Sequence, residues 1–341
     1  MGVLGVKADF RPRVVVAEPF AECGIEVLRE HGIEVICAVG AARGELLEWL
    51  PEADGLIVRS ETRVDRTLLA AGPRLALVAR AGAGVDTIDV SAATEAGIVV
   101  LNTPAANTIA AAEQTFALLL AHVRHVSAAH DSLRDGRWSR TPFIGTELYG
   151  KTLGIIGLGR IGSAVAARAN AFGMRVLAYD PFVPQARADA LGVALRPLDD
   201  VLARADVVTL HVPLTPQTER LIGARALAVM RPGAMLVNCA RGGVVDEEAL
   251  LAALDGGRLA GAALDVVAVE PPPPGGSATR LHRHPKVLAT PHLGGSTHEA
   301  LARIATELAR DIVDVLRGGH GSGAVNRPPL RRLALAEPVP G

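Results

Sequence analysis

The 341-residue sequence predicts an α/β protein with two doubly wound parallel sheets, one in each of two domains, and a cleft between the domains. Short apolar runs alternate with segments of helical spacing along the first hundred or so residues, and the same alternation resumes after about residue 150. A glycine-rich turn joins a strand to a helix at the start of the second series. Such alternation is typical of parallel strands with helices packed on both faces of the sheet.

The first series of elements is predicted to form one domain. Its strands occupy residues 13–17, 33–37, 55–58, 75–80 and 98–101, and its helices residues 22–31, 44–50, 65–71 and 91–96. The strands are short apolar runs, and the helices repeat apolar residues every three or four positions. Residues 1–103 therefore constitute the first domain, which residues 297–330 complete through a final helix at 299–316. Residues 331–341 are predicted to be a tail.

Residues 104–296 are predicted to form the second domain, inserted into the first. A long helix at 107–134 opens it. Its strands are predicted at 153–156, 175–179, 207–212, 235–239, 260–264 and 287–289, with further helices at 224–230 and 247–256. The glycine-rich turn and its own helix lie between the first two of these strands.

The turn has the spacing G-x-G-x-x-G, formed by Gly157, Gly159 and Gly162. In a Rossmann-like domain the first glycine permits the turn, the second lets the backbone approach a pyrophosphate, and the third packs the helix on the strand. Asp180 ends the next strand, where such folds place the acid that binds the adenosine ribose. Because a carboxylate repels a 2′-phosphate, the pattern predicts NAD rather than NADP. The alternative is a purely structural turn, with Asp180 an exposed turn acid.

Composition excludes several other classes of protein. Thirty-five Lys and Arg against 36 Asp and Glu give a net charge of −1, which provides no overall attraction for nucleic acid or an anionic membrane. Three cysteines without C-x-x-C spacing indicate neither a disulfide framework nor a zinc site, so no metal is expected. No apolar run reaches the length of a membrane span, and no signal peptide is apparent. We expect a cytoplasmic protein.

Three polar residues of the second domain follow predicted strands, where open α/β sheets bind ligands. Arg241 stands among small residues and is suited to bind a carboxylate through two parallel hydrogen bonds. Glu270 and His292 form a potential acid–base pair, because a carboxylate beside an imidazole sets its tautomer and favours its protonated form. Each residue alone has an ordinary explanation as a surface or loop side chain. Together with a dinucleotide motif they predict an oxidoreductase site.

The sequence resembles the D-isomer-specific 2-hydroxyacid dehydrogenase family from about Val14 to Asn326. The similar motifs are RAGAGVD at 80–86, NTPAANTIAAAE, GLGRIG, NCARGGVVDEEAL, AALDV and PHLGGST. The resemblance implies that Arg241, Glu270 and His292 are catalytic. It implies a cofactor site formed by Gly157, Gly159, Arg160, Ile161, Gly162, Asp180, His211, Val212, Pro213, Thr218, Cys239, Ala240, Asp265, His292 and Gly294.

The resemblance also implies a substrate site in the first domain. Its residues are Arg59, Ser60, Arg80, Ala83, Gly84 and Asn107, with Arg140 contributed in some relatives by a neighbouring subunit. Arginines at strand ends are suited to bind a phosphate. The implied reaction is NAD-dependent oxidation of D-3-phosphoglycerate to 3-phosphohydroxypyruvate, the first step of serine biosynthesis, by a homodimer.

Two alternatives to this function stay open. One is a reductase of hydroxypyruvate, glyoxylate or another D-2-hydroxyacid, because family members share their catalytic residues. The other is a non-enzymatic NAD(H)-binding corepressor on the same scaffold. Since the sequence ends soon after Asn326, where longer relatives add regulatory domains, serine feedback through such a domain is not expected.

Overall fold

The structure is a computed structural model that describes residues 11–328. It divides into two compact units. Of the described residues, one unit contains 11–107 together with 296–328, and the other runs from Thr108 to Gly295. The tail predicted at 331–341 lies outside the described residues.

The described elements alternate as the sequence predicts. The strands are β1 (Arg13–Val16), β2 (Glu34–Cys37), β3 (Gly55–Val58), β4 (Leu77–Arg80), β5 (Val99–Asn102), β6 (Thr152–Ile156), β7 (Arg175–Tyr179), β8 (Ala194–Leu195), β9 (Val207–Leu210), β10 (Ala234–Asn238), β11 (Leu259–Leu264) and β12 (Val287–Ala289). The helices are α1 (Glu22–Glu30), α2 (Arg43–Trp49), α3 (Arg66–Ala71), α4 (Val90–Glu95), α5 (Thr108–Val123), α6 (Val126–Arg134), α7 (Arg160–Ala171), α8 (Gln185–Ala190), α9 (Leu198–Arg204), α10 (Ala224–Val229), α11 (Glu247–Asp255), α12 (Ser277–Arg283) and α13 (His298–Leu316).

Several helices begin at side chains that satisfy the unpaired N–H groups of the first turn. Asp65 accepts a hydrogen bond from the Leu68 N–H before α3, and Asp89 accepts one from the Ala92 N–H before α4. Asp246 and Thr297 cap α11 and α13 in the same way. These caps set the residue at which each helix starts.

The first unit contains a parallel sheet of order β2-β1-β3-β4-β5, buried on both faces. Val14 and Val16 contribute to the core on one face, together with apolar residues of α13, while Val15 packs on the other face with residues of α2, α3 and α4. A strand buried on both sides reads as a continuous apolar run, which explains the short Val-rich and Leu-rich segments of the sequence.

The residues after α13 cover the edge strand β5. The Val325 N–H donates to the Val100 carbonyl, and the Asn102 N–H donates to the Gly323 carbonyl. The Asp311 carboxylate, buried within α13, accepts the N–H groups of Ser322 and Gly323 and the Ser322 hydroxyl. This pairing satisfies backbone groups that an exposed edge strand leaves open.

The second unit contains a parallel sheet of order β12-β11-β10-β9-β6-β7-β8. The chain runs outward from β6 through β7 to β8, then returns to the other side of β6 for β9 and the later strands. The strand order therefore reverses between β6 and β9. Open α/β sheets bind ligands at such a reversal, outside the carboxyl ends of the strands. The predicted fold class of two doubly wound parallel sheets is confirmed.

Two sets of predictions about individual elements need correction. The helix predicted at 107–134 is divided into α5 and α6, because His125 adopts a left-handed backbone conformation with φ of 53°. The sequence pattern also did not predict α8, β8, α9 or α12, which are short elements of two to seven residues. Short elements provide too few residues for periodicity to identify them.

Among the residues that the structure describes, no helix combines the length and the apolar character needed to cross a membrane.

Replacing Asp311 by Ala should lower the free energy of unfolding by about 1–3 kcal/mol, because backbone N–H groups near β5 lose a buried acceptor. Urea unfolding followed by circular dichroism measures the change. Glu307→Ala, on the same helix, is the control and should leave the midpoint unchanged, since Glu307 is exposed. Equal midpoints for the two variants would contradict the proposed role of Asp311.

Candidate active site

The glycine-rich turn after β6 shows which of its glycines are required by packing. Gly157 has φ of 94°, and a Cβ there would lie 2.6 Å from the His211 carbonyl oxygen. A Cβ at Gly162 would lie 2.1 Å from the Gly157 carbonyl oxygen, so α7 packs directly on the turn. A Cβ at Gly159 would meet no described atom within 4 Å. The backbone at Gly159 is therefore open to close approach by a ligand.

Asp180 lies at the end of β7, beside this turn. One carboxylate oxygen accepts the Leu158 N–H at 2.8 Å, and the other accepts the Phe182 N–H at 2.9 Å. A carboxylate oxygen has two acceptor positions, so each oxygen can accept one more hydrogen bond. Arg160 and Ile161 begin α7, whose first N–H groups have no acceptor within the helix. The open backbone at Gly159, the N-terminus of α7 and the Asp180 carboxylate are together suited to bind a dinucleotide.

The segment after β9 carries other predicted cofactor residues. His211 Nε2 lies 3.0 Å from the Thr209 hydroxyl, and its Nδ1 is buried without a partner among the described residues. Burial lowers the pKa of His211 to about 3, so its imidazole is neutral at physiological pH. The Thr218 hydroxyl donates to the Pro213 carbonyl at 2.6 Å, which ties the loop that begins at Val212. Both side chains are thus bonded within the unit.

Arg241 lies in a turn that Asn238 holds at the end of β10. The buried Asn238 amide accepts the Ala240 N–H and donates to the Arg241 carbonyl, each at 3.0 Å. A Cβ at Gly242 would lie 1.9 Å from the Val267 carbonyl carbon, so the turn is in direct contact with the loop after β11. Only glycine permits this contact, which brings Arg241 beside the loop that carries Glu270.

Cys239, in the same turn, is buried. Burial raises the pKa of its thiol to about 12, so the side chain stays protonated and chemically inert near neutral pH.

Asp265 joins the end of β11 to the loop after β12. Its carboxylate, 1% exposed, accepts the N–H of Leu293 at 2.8 Å, the N–H of Gly294 at 2.7 Å and the Thr290 hydroxyl at 2.5 Å. Its carbonyl accepts the N–H of His292 at 2.8 Å. His292 has a left-handed backbone with φ of 56°, which costs energy for a residue other than glycine. The four hydrogen bonds to Asp265 offset that cost.

His292 and Glu270 form the hydrogen-bonded pair that the sequence anticipates. His292 Nδ1 lies 2.6 Å from Glu270 Oε2, and about a third of each side chain is exposed. Burial raises the pKa of Glu270, but the hydrogen bond and charge of His292, the Val267 N–H and the charge of Arg241 lower it more, so that this pKa lies below its usual range. An ionised carboxylate accepts a hydrogen bond from the Nδ1–H, so Nε2 is the ring nitrogen left to exchange a proton.

Within the second unit, Glu270 therefore contacts His292 and also interacts electrostatically with Arg241. The Arg241 Nη1 donates to the Ala240 carbonyl at 2.7 Å, and its charge acts on Glu270. A fixed cation beside a carboxylate–imidazole pair can bind an anionic group and exchange a proton with it.

The predicted substrate residues of the first unit lie mainly at the carboxyl ends of its strands. Arg59 and Ser60 follow β3, and Arg80 ends the neighbouring β4, where it pairs in register with Val58. Arg80 Nη1 donates to the Ala81 carbonyl at 2.6 Å. The turn at Ala83 and Gly84 is held by the Asn102 amide, and Asn107 Oδ1 is buried without a partner among the described residues. Arg140 is exposed on the second unit.

Sequence reasoning missed Glu18, which holds the loop that contains Arg59. Glu18 is 5% exposed and accepts the N–H groups of Arg59, Thr62 and Glu61 at 2.8, 2.9 and 3.1 Å. Burial raises the pKa of Glu18, but these N–H groups lower it more, so the carboxylate is ionised. An acidic residue directly after a buried strand was the available signal. Glu247, the first residue of α11, was also missed.

The reversal of strand order between β6 and β9, the glycine-rich turn after β6 and the carboxylate of Asp180 together define a nucleotide-binding α/β protein. Residues 116–294 match the family model described as D-isomer specific 2-hydroxyacid dehydrogenase, NAD binding domain. This chain belongs to the D-isomer-specific 2-hydroxyacid dehydrogenase family, as the sequence motifs predict. NAD is the cofactor of the matched domain.

Individual relatives agree with this assignment. The chain is 46% identical over 318 residues to the D-3-phosphoglycerate dehydrogenase of Synechocystis sp., a match that covers 93% of this chain and 56% of that protein. A protein of solved structure from Thermus thermophilus superposes with a TM-score of 0.84 at 39% identity, over 92% of this chain and all of that one. The D-lactate dehydrogenase from Aquifex aeolicus, complexed with NAD and lactic acid, superposes with a TM-score of 0.83 at 29% identity. This match covers 93% of this chain and 100% of that one.

The chain is shorter than the D-3-phosphoglycerate dehydrogenases that it matches. It spans between 52% and 62% of their lengths.

His211 should make stability depend on pH. Because its pKa falls to about 3 in the folded state, the unfolded chain binds more protons between pH 3 and 6.5. Stability should therefore decrease as the pH falls from 6.5, by up to about 1.4 kcal/mol per pH unit. Urea unfolding at several pH values measures this slope. His211→Gln should remove the contribution of His211 to this slope. His320→Gln, at an exposed position, should leave the slope unchanged. Identical slopes in the wild-type protein and both variants would refute the prediction.

Proposed function

We propose that this chain is an NAD-dependent dehydrogenase that oxidises D-3-phosphoglycerate to 3-phosphohydroxypyruvate, the first step of serine biosynthesis. The proposal rests on one structural observation, the 2.6 Å contact between His292 and Glu270 beside Arg241 at the carboxyl ends of the strands of an NAD-binding domain. Similarity to D-3-phosphoglycerate dehydrogenases at 43–46% identity supports the choice of substrate.

Each member of the trio has a distinct role in this proposal. The neutral His292 takes the proton of the substrate 2-hydroxyl at Nε2, and Glu270 stabilises the resulting imidazolium through Nδ1. Arg241 binds the substrate carboxylate and stabilises charge on the oxygen that becomes a carbonyl. Asp265 holds the loop on which His292 lies.

Bound NAD supplies the hydride acceptor for the oxidation. In this chain Gly157, Gly159 and Gly162 shape the turn, and N–H groups at Arg160 and Ile161 bind the pyrophosphate. Asp180 accepts hydrogen bonds from the adenosine ribose. The remaining residues proposed to line the cofactor site are His211, Val212, Pro213 and Thr218 on the adenosine side, and Cys239, Ala240, Asp265, His292 and Gly294 on the nicotinamide side.

We assign substrate binding to the first unit. Arg59, Ser60, Arg80 and Asn107 bind the phosphate, since guanidinium groups form paired hydrogen bonds with phosphate oxygens. The backbone N–H groups of Ala83 and Gly84 bind the carboxylate. The carboxylate of Glu18 supports this role by keeping the Arg59 loop in one conformation.

The enzyme is proposed to act as a homodimer in the cytoplasm. Large apolar side chains at Trp138, Ile144 and Tyr149 are 84%, 78% and 79% exposed, which favours coverage by a second copy, with Arg140 in the same segment. Cys23, Cys37 and Cys239 are free thiols, which agrees with a reducing compartment.

Substrate profiling tests the proposed reaction. With NAD, D-3-phosphoglycerate should give a higher kcat/KM than D-glycerate, D-lactate or glycolate. In the reverse direction, reduction with NADH, 3-phosphohydroxypyruvate should give a higher kcat/KM than hydroxypyruvate or glyoxylate. Arg80→Ala should mainly raise KM for the phosphorylated acid, because uniform binding is lost. A preference for unphosphorylated acids would refute the phosphate assignment.

A turnover assay tests the alternative of a non-enzymatic role. Binding of NADH without turnover in the wild-type protein would indicate such a role, and His292→Ala provides the inactive reference.

Replacing Asp180 by Ala should relax the preference for NAD over NADP, since the carboxylate that repels a 2′-phosphate is removed. The ratio of kcat/KM for the two cofactors measures the preference, and should fall by roughly tenfold or more. Because Asp180 also accepts the Leu158 N–H, Asp180→Asn is the matched variant that keeps an acceptor there. An unchanged ratio in both variants would show that another residue discriminates against NADP.

A further inference from the structure

The loop that carries Glu270 has little regular structure of its own. It spans residues 265–276, between β11 and α12, and includes a run of prolines that cannot donate backbone hydrogen bonds. The Asp265 N–H donates to the Asn238 carbonyl at its start, and the Gly276 N–H donates to the Pro273 carbonyl near its end. The position of Glu270 between these points depends on side chains from other elements.

Glu247 provides such a contact on both sides of Glu270. It is the first residue of α11, and its Oε1 accepts the Ala268 N–H at 2.7 Å. Its Oε2 accepts the hydroxyl of Ser277, the first residue of α12. A single carboxylate therefore joins the loop before Glu270 to the helix that follows the loop.

The Ala268 contact lies where the loop is closest to the catalytic trio. A Cβ at Gly242 would lie 2.4 Å from the Ala268 nitrogen, so the Arg241 turn packs against one side of this peptide. The N–H of the preceding residue, Val267, donates to Glu270 Oε1 at 3.0 Å. The backbone of Val267 and Ala268 thus links Glu247 to the Glu270 carboxylate.

We infer that Glu247 is a positioning residue that holds the Glu270 carboxylate in contact with His292. It acts through the Ala268 N–H and the Ser277 hydroxyl, the two groups whose hydrogen bonds its carboxylate accepts. Without Glu247 the loop loses its hydrogen bond to α11, and Glu270 is free to move away from His292 Nδ1. This inference rests on the proposed dehydrogenase function.

The neighbouring residue is a matched control. Glu248 is exposed and forms an ion pair with Arg280, so it connects the same two helices, α11 and α12. Glu248→Ala removes one α11–α12 contact and a negative charge from the same helical turn. It leaves the hydrogen bond between Glu247 and Ala268 in place.

The experiment compares Glu247→Ala, Glu247→Gln and Glu248→Ala with the wild-type full chain. Glu247→Ala should lower kcat by roughly tenfold to a hundredfold, because small displacements of acid–base groups are costly. The KM for NAD should change by less than about twofold, since the cofactor turn is untouched. The acid limb of the kcat/KM–pH profile should move to lower pH, because an imidazole without its carboxylate is protonated less readily.

Glu247→Gln should recover most of the activity. Its amide oxygen can accept the Ala268 N–H, and its amide nitrogen can donate to the Ser277 hydroxyl oxygen. Glu248→Ala should behave as the wild-type protein does in kcat and in the pH profile. This pattern distinguishes positioning from a general loss of stability, which both alanine variants share.

NMR titration of the His292 ring separates failure of this inference from failure of the proposed function, since it needs no turnover. The titration should move to lower pH in Glu247→Ala and stay unchanged in Glu248→Ala. If the wild-type protein oxidised no 2-hydroxy acid but this shift occurred, the proposed function would be wrong and the positioning role would stand. If Glu247→Ala matched Glu248→Ala in the NMR titration, the positioning role would be overturned.

Discussion

The catalytic end of the second unit depends on the buried carboxylate of Asp265. This side chain, at the end of β11, accepts hydrogen bonds from Thr290, Leu293 and Gly294 of the loop after β12. Unsatisfied N–H groups in a buried position cost about 1–3 kcal/mol each, so the loop follows the carboxylate closely. His292 is held in its left-handed conformation by that loop, and its side chain meets Glu270 as a result.

Two other acidic residues also hold loops that follow strands. Glu18 after β1 holds the loop that begins at Arg59, and Glu247 at the start of α11 holds the loop that carries Glu270. Loops at the carboxyl ends of parallel strands have few backbone partners, because their strands end there. A carboxylate accepts several N–H groups at once and so gives such a loop a single conformation. The arginine and histidine side chains need this support to stay in place.

Local patterns in the sequence were sufficient for the fold class. Apolar runs and helical periodicity predicted both parallel sheets, and the motifs from Arg80 to Thr297 predicted the family. Periodicity did not predict the division between α5 and α6, because no glycine or proline marks the left-handed residue His125. The short elements α8, β8, α9 and α12 were also missed, since their packing rather than their spacing stabilises them.

The sequence by itself identified Arg241, Glu270 and His292 as candidates, because residue type and position after a strand are local properties. Only the tertiary structure decided that Glu270 contacts His292 near the charge of Arg241, since the turn at Gly242 packs on the Val267–Ala268 peptide. It also decided that the His211 imidazole is buried and neutral. Burial, close packing and hydrogen bonds between distant loops arise from the folded arrangement, and no spacing of residues along the chain records them.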